Sequence, residues 1–103
     1  MNVELRVGTV VAVDEFPEAK RPAFILHVDF GEPLGIRKSS AQITDRYDRA
    51  TLVGRQVVAV TNFPPKQIGP IMSECLVTGF RDDRGHVVLC IPDDTVPRGA
   101  RLI

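Results

Sequence analysis

Residues 3–13 alternate in a way that few folds accommodate. Val3, Leu5, Val7, Thr9, Val11 and Val13 share one parity; Glu4, Arg6, Gly8, Val10 and Ala12 share the other. Period two is the signature of a strand, because successive side chains point to opposite faces. The second parity is polar up to Arg6 and apolar after Gly8. Such a strand is half exposed in its first part and buried on both sides in its second. It is predicted to be long, coiled and shared between two parts of a small barrel, bending at Gly8.

The rest of the chain supplies short strands and frequent turns. Residues 14–22 are polar, contain Pro17 and Pro22, and read as a loop. Phe24, Leu26, Val28 and Phe30 form the apolar face of a second strand, and residues 35–43 a third. Thr44-Asp45 is placed to cap a short helix through Tyr47, Ala50 and Leu52, which Gly54 ends. Residues 55–61 and 75–80 read as the fourth and fifth strands. Residues 81–85 form a hairpin turn, and 86–91 return as a strand. Three strands, a short helix, then further strands fit an all-β, five-stranded Greek-key barrel of the OB type, with the helix between strands three and four. The last hairpin strand and the tail from Pro92 are additions to that core. Residues 1–103 read as a single domain.

Composition narrows the function. Of 103 residues, thirteen are basic and thirteen acidic, which disfavours a nucleic-acid clamp working by bulk charge and leaves room for a local basic patch. Cys75 and Cys90 lie singly in apolar runs and read as buried thiols rather than a disulfide or metal site. Met1 leads straight into the alternating strand without a signal segment, and no apolar run reaches the length of a membrane span. A cytoplasmic protein is expected. His27 and His86 sit in strands without metal-ligand spacing, and Asp82-Asp83 and Asp93-Asp94 are explained by turn chemistry. No enzyme signature is present, and neither a cofactor nor a metal is expected.

The stretch 61–80, TNFPPKQIGPIMSECLVTGF, carries the most information about function. It links two core strands through three prolines, one lysine and the polar pair Ser73-Glu74. Long loops of this kind are functional or disordered. Phe63, Ile68, Ile71 and Met72 carry too much apolar surface for a disordered linker. An ordered loop clamped onto the barrel is predicted. Asn62 is expected to bond the loop backbone, and Phe63 to plug one end of the barrel. The third strand adds Arg37, Lys38, Ser39, Ser40 and Gln42, of which Lys38, Ser40 and Gln42 share one parity. An OB barrel takes ligands on the face of its second and third strands and on flanking loops, where cations suit phosphates. Lys66 can join that face; a solvated strand surface is the bland alternative. With six aromatic residues in a hundred and no tryptophan, a single-strand binder made of stacking platforms is disfavoured.

Several blocks resemble the CsaA family: Arg6-Val7-Gly8-Thr9-Val10, Lys38-Ser39-Ser40-Ala41-Gln42-Ile43, Gly54-Arg55-Gln56-Val57-Val58, and above all residues 62–69, NFPPKQIG, with Ser73-Glu74. CsaA is built on the tRNA-binding OB domain also attached to methionyl-tRNA synthetases and to the phenylalanyl-tRNA synthetase β subunit. The resemblance covers essentially the whole chain. It implies an OB fold, a homodimer through segments added to the barrel, tRNA binding, and a chaperone role in protein export. The wider domain reads Ser-x-x-Met before its last core strand; here Ser73 matches and Leu76 replaces the methionine.

Two classes of function follow. The first is tRNA binding through Arg37, Lys38, Ser40, Gln42, Asn62, Lys66, Ser73 and Glu74. The second is a protein-interaction module whose groove, lined by Phe63, Ile68, Ile71 and Met72, holds unfolded or precursor polypeptide. The thin core of so short a chain and the apolar pair Leu102-Ile103 point to a homodimer in which each copy covers the other's tail.

Overall fold

In the computed structural model, which describes residues 2–103, the long first strand is β1, Leu5–Glu15. Its first half pairs antiparallel with β4, Gln56–Val60, and its second half with β2, Phe24–Asp29. One strand thus serves both halves of the barrel, as the change of face predicts. The irregularity lies at Val11 rather than at Gly8: Val10 pairs with Val28 and Ala12 with His27, leaving Val11 unpaired and exposed. This bulge reverses the phase, so Val10 and Val13 both face the core. Gly8 has another task. A Cβ there would stand 2.4 Å from Val28 Cγ1 and 2.8 Å from a Phe30 ring carbon, so only glycine lets the two strands close over Phe30.

β3, Ile36–Ala41, pairs with β2, and the sheet order is β3-β2-β1-β4-β7, with β7 at Leu76–Val77. This is the five-stranded OB-type barrel, with α1, Arg49–Leu52, between β3 and β4. The helix is shorter than predicted and starts later. Asp48, not Thr44-Asp45, is its N-cap, accepting from the Thr51 N–H at 2.9 Å. Gly54 follows it at φ 92°, where a left-handed residue ends the turn. The core is Val10, Val13, Leu26, Val28, Phe30, Ile43, Leu52, Val57, Ala59, Cys75 and Leu89.

Two parts of the expected topology change. The fifth strand is not continuous: β7 ends at Val77, and Gly79–Arg81 forms β8, paired with β9, Val87–Leu89. Thr78 is the hinge between them, its N–H and hydroxyl both donating to the Val58 carbonyl. The long loop holds a hairpin of its own, β5 at Lys66–Ile68 and β6 at Ile71–Ser73, turning at Gly69 with φ 56°. Phe63 does not plug the barrel; it is exposed, and buried Phe16 packs beneath Gly69 instead. Asn62 does not bond the loop. It accepts from the Glu4 N–H and donates to the Asn2 carbonyl, tying the loop's start to β1.

The tail runs along the free side of β1. The Val7 N–H donates to Ala100, Gly99 to Val7 and Leu102 to Leu5. Around this junction Glu4 receives bonds from Arg6, Arg101 and Thr61. The Arg6 and Arg101 guanidiniums, then the Thr61 hydroxyl, hold its carboxyl down at about 2. No helix among the described residues is long and apolar enough to cross a membrane. Met1 lies outside the described residues.

Candidate nucleic-acid interface

β3 is an edge of the sheet, and the barrel closes where its outer side meets the segment after β6. Little of that seam is ladder. Glu74 and Cys75 donate their N–H groups to the Lys38 carbonyl at 2.7 and 3.2 Å. Side chains supply the rest. Glu74 Oε1 accepts from the Lys38 N–H at 3.0 Å, and Ser73 Oγ accepts from the Ser40 N–H at 3.1 Å. From the other side, buried Ser39 Oγ accepts from the Val77 N–H at 3.3 Å. Ser73 and Glu74 therefore satisfy edge groups that a longer fifth strand would otherwise pair.

This closure sets the β5–β6 hairpin over β3 and leaves a cleft on each side of it. One, of about 280 Å³, is lined by Ser40, Phe63, Lys66, Ser73, Glu74 and Leu76, with Cys75 in its wall. Burial pushes the Cys75 thiol up to about 12, so it stays protonated and contributes only packing. Cys90 is half-buried on the opposite side of the barrel, against the tail. The second cleft, of about 550 Å³, lies between the hairpin and the loop joining β1 to β2. Lys20, Arg21, Ser40, Gln42, Lys66 and Gln67 line it, with Glu18.

Ser40, Gln42, Lys66, Ser73 and Glu74 are thus brought together, and Phe63 and Ile68 join them. Met72 is exposed on the hairpin and Ile71 half-buried. The alternation of β3 holds: Ser39 and Ala41 face the core while Lys38 and Ser40 face out. Lys38 lines neither cleft; it stands across from His27 on the outer surface of β2 and β3. Arg37, on the parity of Ser39, is bound to the Thr61 carbonyl at 3.1 Å. Asn62 is taken up by the N-terminal strand.

Lys20 and Arg21 are the residues that sequence reasoning missed. They lie in a polar segment whose sequence reads as a connection, although the adjacent basic pair before Pro22 is a visible signal. Among the described residues, Lys20, Arg21, Lys38 and Lys66 make no ion pair. Three of these four cations border one cleft. A groove with that lining can take a phosphate backbone and offers polar side chains to what the backbone carries. No three His, Cys, Asp or Glu side chains among the described residues gather as a metal site requires.

A family model described as "Putative tRNA binding domain" matches residues 5–101. The crystal structure of the chaperone CsaA of Bacillus anthracis strain Ames superposes with a TM-score of 0.91 at 48% identity, over 98% of this chain and 91% of that one. The chain belongs to the CsaA family. The CsaA chaperone protein of Picrophilus torridus superposes with a TM-score of 0.92 at 41% identity, covering 99% and 92% of the two chains. The same domain occurs inside larger enzymes: the methionine–tRNA ligase of Thermococcus onnurineus is 33% identical over 99% of this chain. The chain spans only 13% of that ligase's length. The CsaA matches and the family model fit a tRNA-binding domain rather than a catalytic one.

Proposed function

We propose that this CsaA-family protein binds tRNA without catalysing a reaction, on the face made by β3, the β5–β6 hairpin and the loop after β1. The observation that carries the reading is the convergence of Lys20, Arg21 and Lys66, none in an ion pair among the described residues, on one cleft beside β3. Lys38 adds a cation on the neighbouring surface, while Ser40 and Gln42 offer hydrogen bonds. Arg37, Asn62 and Ser73 support the face by holding its strands in place. A few cations neutralise few phosphates, so affinity is moderate and salt-sensitive. A gel-shift titration with total tRNA should give a log–log salt slope on the order of −2 to −4, at about 0.7 per phosphate contacted. A protein that shows no shift at low salt ends this reading.

The reading extends to a homodimer. Leu5, Val7, Phe80, Ile91, Leu102 and Ile103 surround an apolar hollow of about 520 Å³ where the tail crosses β1. Phe80 is 70% and Leu102 65% exposed, more apolar surface than an isolated chain of this size gains by leaving in water. A second copy related by a two-fold axis would cover it. Sedimentation equilibrium at micromolar concentration should give twice 11.4 kDa; a species of 11.4 kDa removes the dimer.

A second ligand is favoured by exposed Phe63 and Met72 beside the same clefts, with Ile68 and Ile71 behind them. Unfolded or precursor polypeptide held there would make the protein a cytoplasmic chaperone in protein export, in keeping with the two CsaA structures described as chaperones. One groove cannot hold both ligands, so tRNA should displace a labelled peptide and each should lower the other's apparent affinity. A peptide that stays fully bound under saturating tRNA places the two on separate surfaces.

A further inference from the structure

We infer that the smaller cleft is a base-reading pocket that takes an unpaired guanine, stacked on Phe63 and held on its Watson–Crick edge by Glu74. The inference rests on the tRNA reading above and adds to it a specificity that phosphate contacts do not supply.

Glu74 raises the question. A carboxylate on an RNA-binding face repels the backbone, and this one forms no ion pair among the described residues. Closing the barrel occupies only part of it. Oε1 accepts from the Lys38 N–H at 3.0 Å, which fixes the orientation of the group. Oε2 has no protein partner among the described residues and is not among the buried atoms left without one, so it stays open to solvent on a residue that lines the cleft. A held carboxylate can only accept hydrogen bonds. It therefore selects for donors.

The bases differ sharply in what they offer. Guanine presents two adjacent donors, N1–H and the N2 amino group. Cytosine and adenine place one amino group beside a ring acceptor, and uracil flanks one N–H with two carbonyls. Only guanine offers two donors and no facing acceptor, one for Oε2 and one for the lone pair that the Lys38 N–H leaves on Oε1. Its Watson–Crick edge is free only in loops, bulges and single strands, where RNA is read base by base.

The remaining lining fits a base. Phe63 lines the cleft, is 39% exposed and supplies the aromatic ring on which a base can stack. Leu76, 49% exposed, adds apolar surface, while the Ser73 hydroxyl is already used by the Ser40 N–H and the Cys75 carbonyl. Lys66 borders this cleft and the basic one, so a phosphate next to the base can lie between them. The same lysine disfavours the basic side chain of a polypeptide, the other partner a carboxylate would accept.

The test uses labelled RNA pentamers, uridine at four positions and guanosine, inosine, adenosine or cytidine at the centre, with total tRNA run in parallel. Inosine lacks only the N2 amino group. Wild-type protein should bind the guanosine pentamer about tenfold more tightly than the inosine one, the discrimination of one base-edge contact. Glu74→Gln keeps an oxygen for the Lys38 N–H and turns a donor outward, so the preference should vanish or reverse. Phe63→Ala, which leaves the barrel seam intact, should weaken all pentamers alike. Equal affinity of wild type for guanosine and inosine, with tRNA still bound, overturns the inference and leaves the tRNA reading standing. Loss of both tRNA and pentamer binding ends both. An acetylated arginine-containing pentapeptide that binds more tightly than the guanosine pentamer and displaces it assigns the cleft to polypeptide and also overturns the inference.

Discussion

On the face built by β3 and the β5–β6 hairpin, Lys20, Arg21 and Lys66 stand in water without ionic partners among the described residues. Where β1 meets the tail, Glu4, Arg6 and Arg101 are locked together, and the surface beside them is apolar. The two regions spend similar side chains differently. Charges that already hold each other leave little field for a polyanion, whereas unpaired cations around a cleft still have theirs to give. A net charge of zero is therefore no guide to binding, because it sums over regions whose charges are used differently.

The sharpest break in that comparison comes from charging the apolar face. Phe80→Asp combined with Leu102→Asp should convert the proposed dimer to a species of 11.4 kDa in sedimentation equilibrium, with each monomer still binding tRNA through its own cleft. A variant that stays dimeric moves the interface elsewhere. On the opposite face, replacing Lys20, Arg21 and Lys66 together by alanine should make the salt slope shallower by about 2 and weaken tRNA binding by about tenfold or more at low salt. Lys38→Ala alone should change the slope by under about one unit on the same scale. An unchanged slope in both variants puts the tRNA surface outside this face.

Smaller effects probe how each region is held. Ser73→Ala removes the acceptor of the Ser40 N–H at the barrel seam and should cost about 1 kcal/mol in urea unfolding, the ordinary worth of one such bond. At the other junction Glu4 is held at about 2, below the 4.5 of a free glutamate. Since the folded value is the lower, the stabilisation is complete above pH 4.5 and declines as pH falls towards 2. Melting temperatures measured across that window should fall more steeply for wild type than for Glu4→Gln. Parallel curves would show that the clasp contributes nothing to folding.

The strand order and the place of the helix could be read in the sequence because alternating apolar residues and Gly54 are local signals. The bulge at Val11 could not: the extra residue is itself a valine, so parity continues on paper where the chain breaks it in space. Nor could the split of the fifth strand, which depends on Thr78 finding the Val58 carbonyl twenty residues away. The β5–β6 hairpin was hidden by its size, since three-residue strands carry barely one alternation. Of the candidate site, Ser40, Gln42, Lys66, Ser73 and Glu74 were legible as polar residues in an apolar context. Their division of labour was not. That Ser73 and Glu74 bond the backbone of β3 is a contact across more than thirty residues, visible only after closure. Lys20 and Arg21 were overlooked because their loop comes near β5 only in three dimensions.

The strip formed by residues 99–102 against residues 5–7 joins segments far apart in the sequence. During vector-wise synthesis β1 can meet β2 as soon as the first hairpin emerges, but the side of its leading half that the strip covers has nothing to pair with until residue 102 is free of the ribosome. Until then the nascent chain carries an open edge beside an apolar face, which is a hazard for pairing with neighbours. Contacts of such long range also slow the final step of folding. Residues 99–102 therefore act as a closing latch, and the barrel is most in need of protection before they arrive.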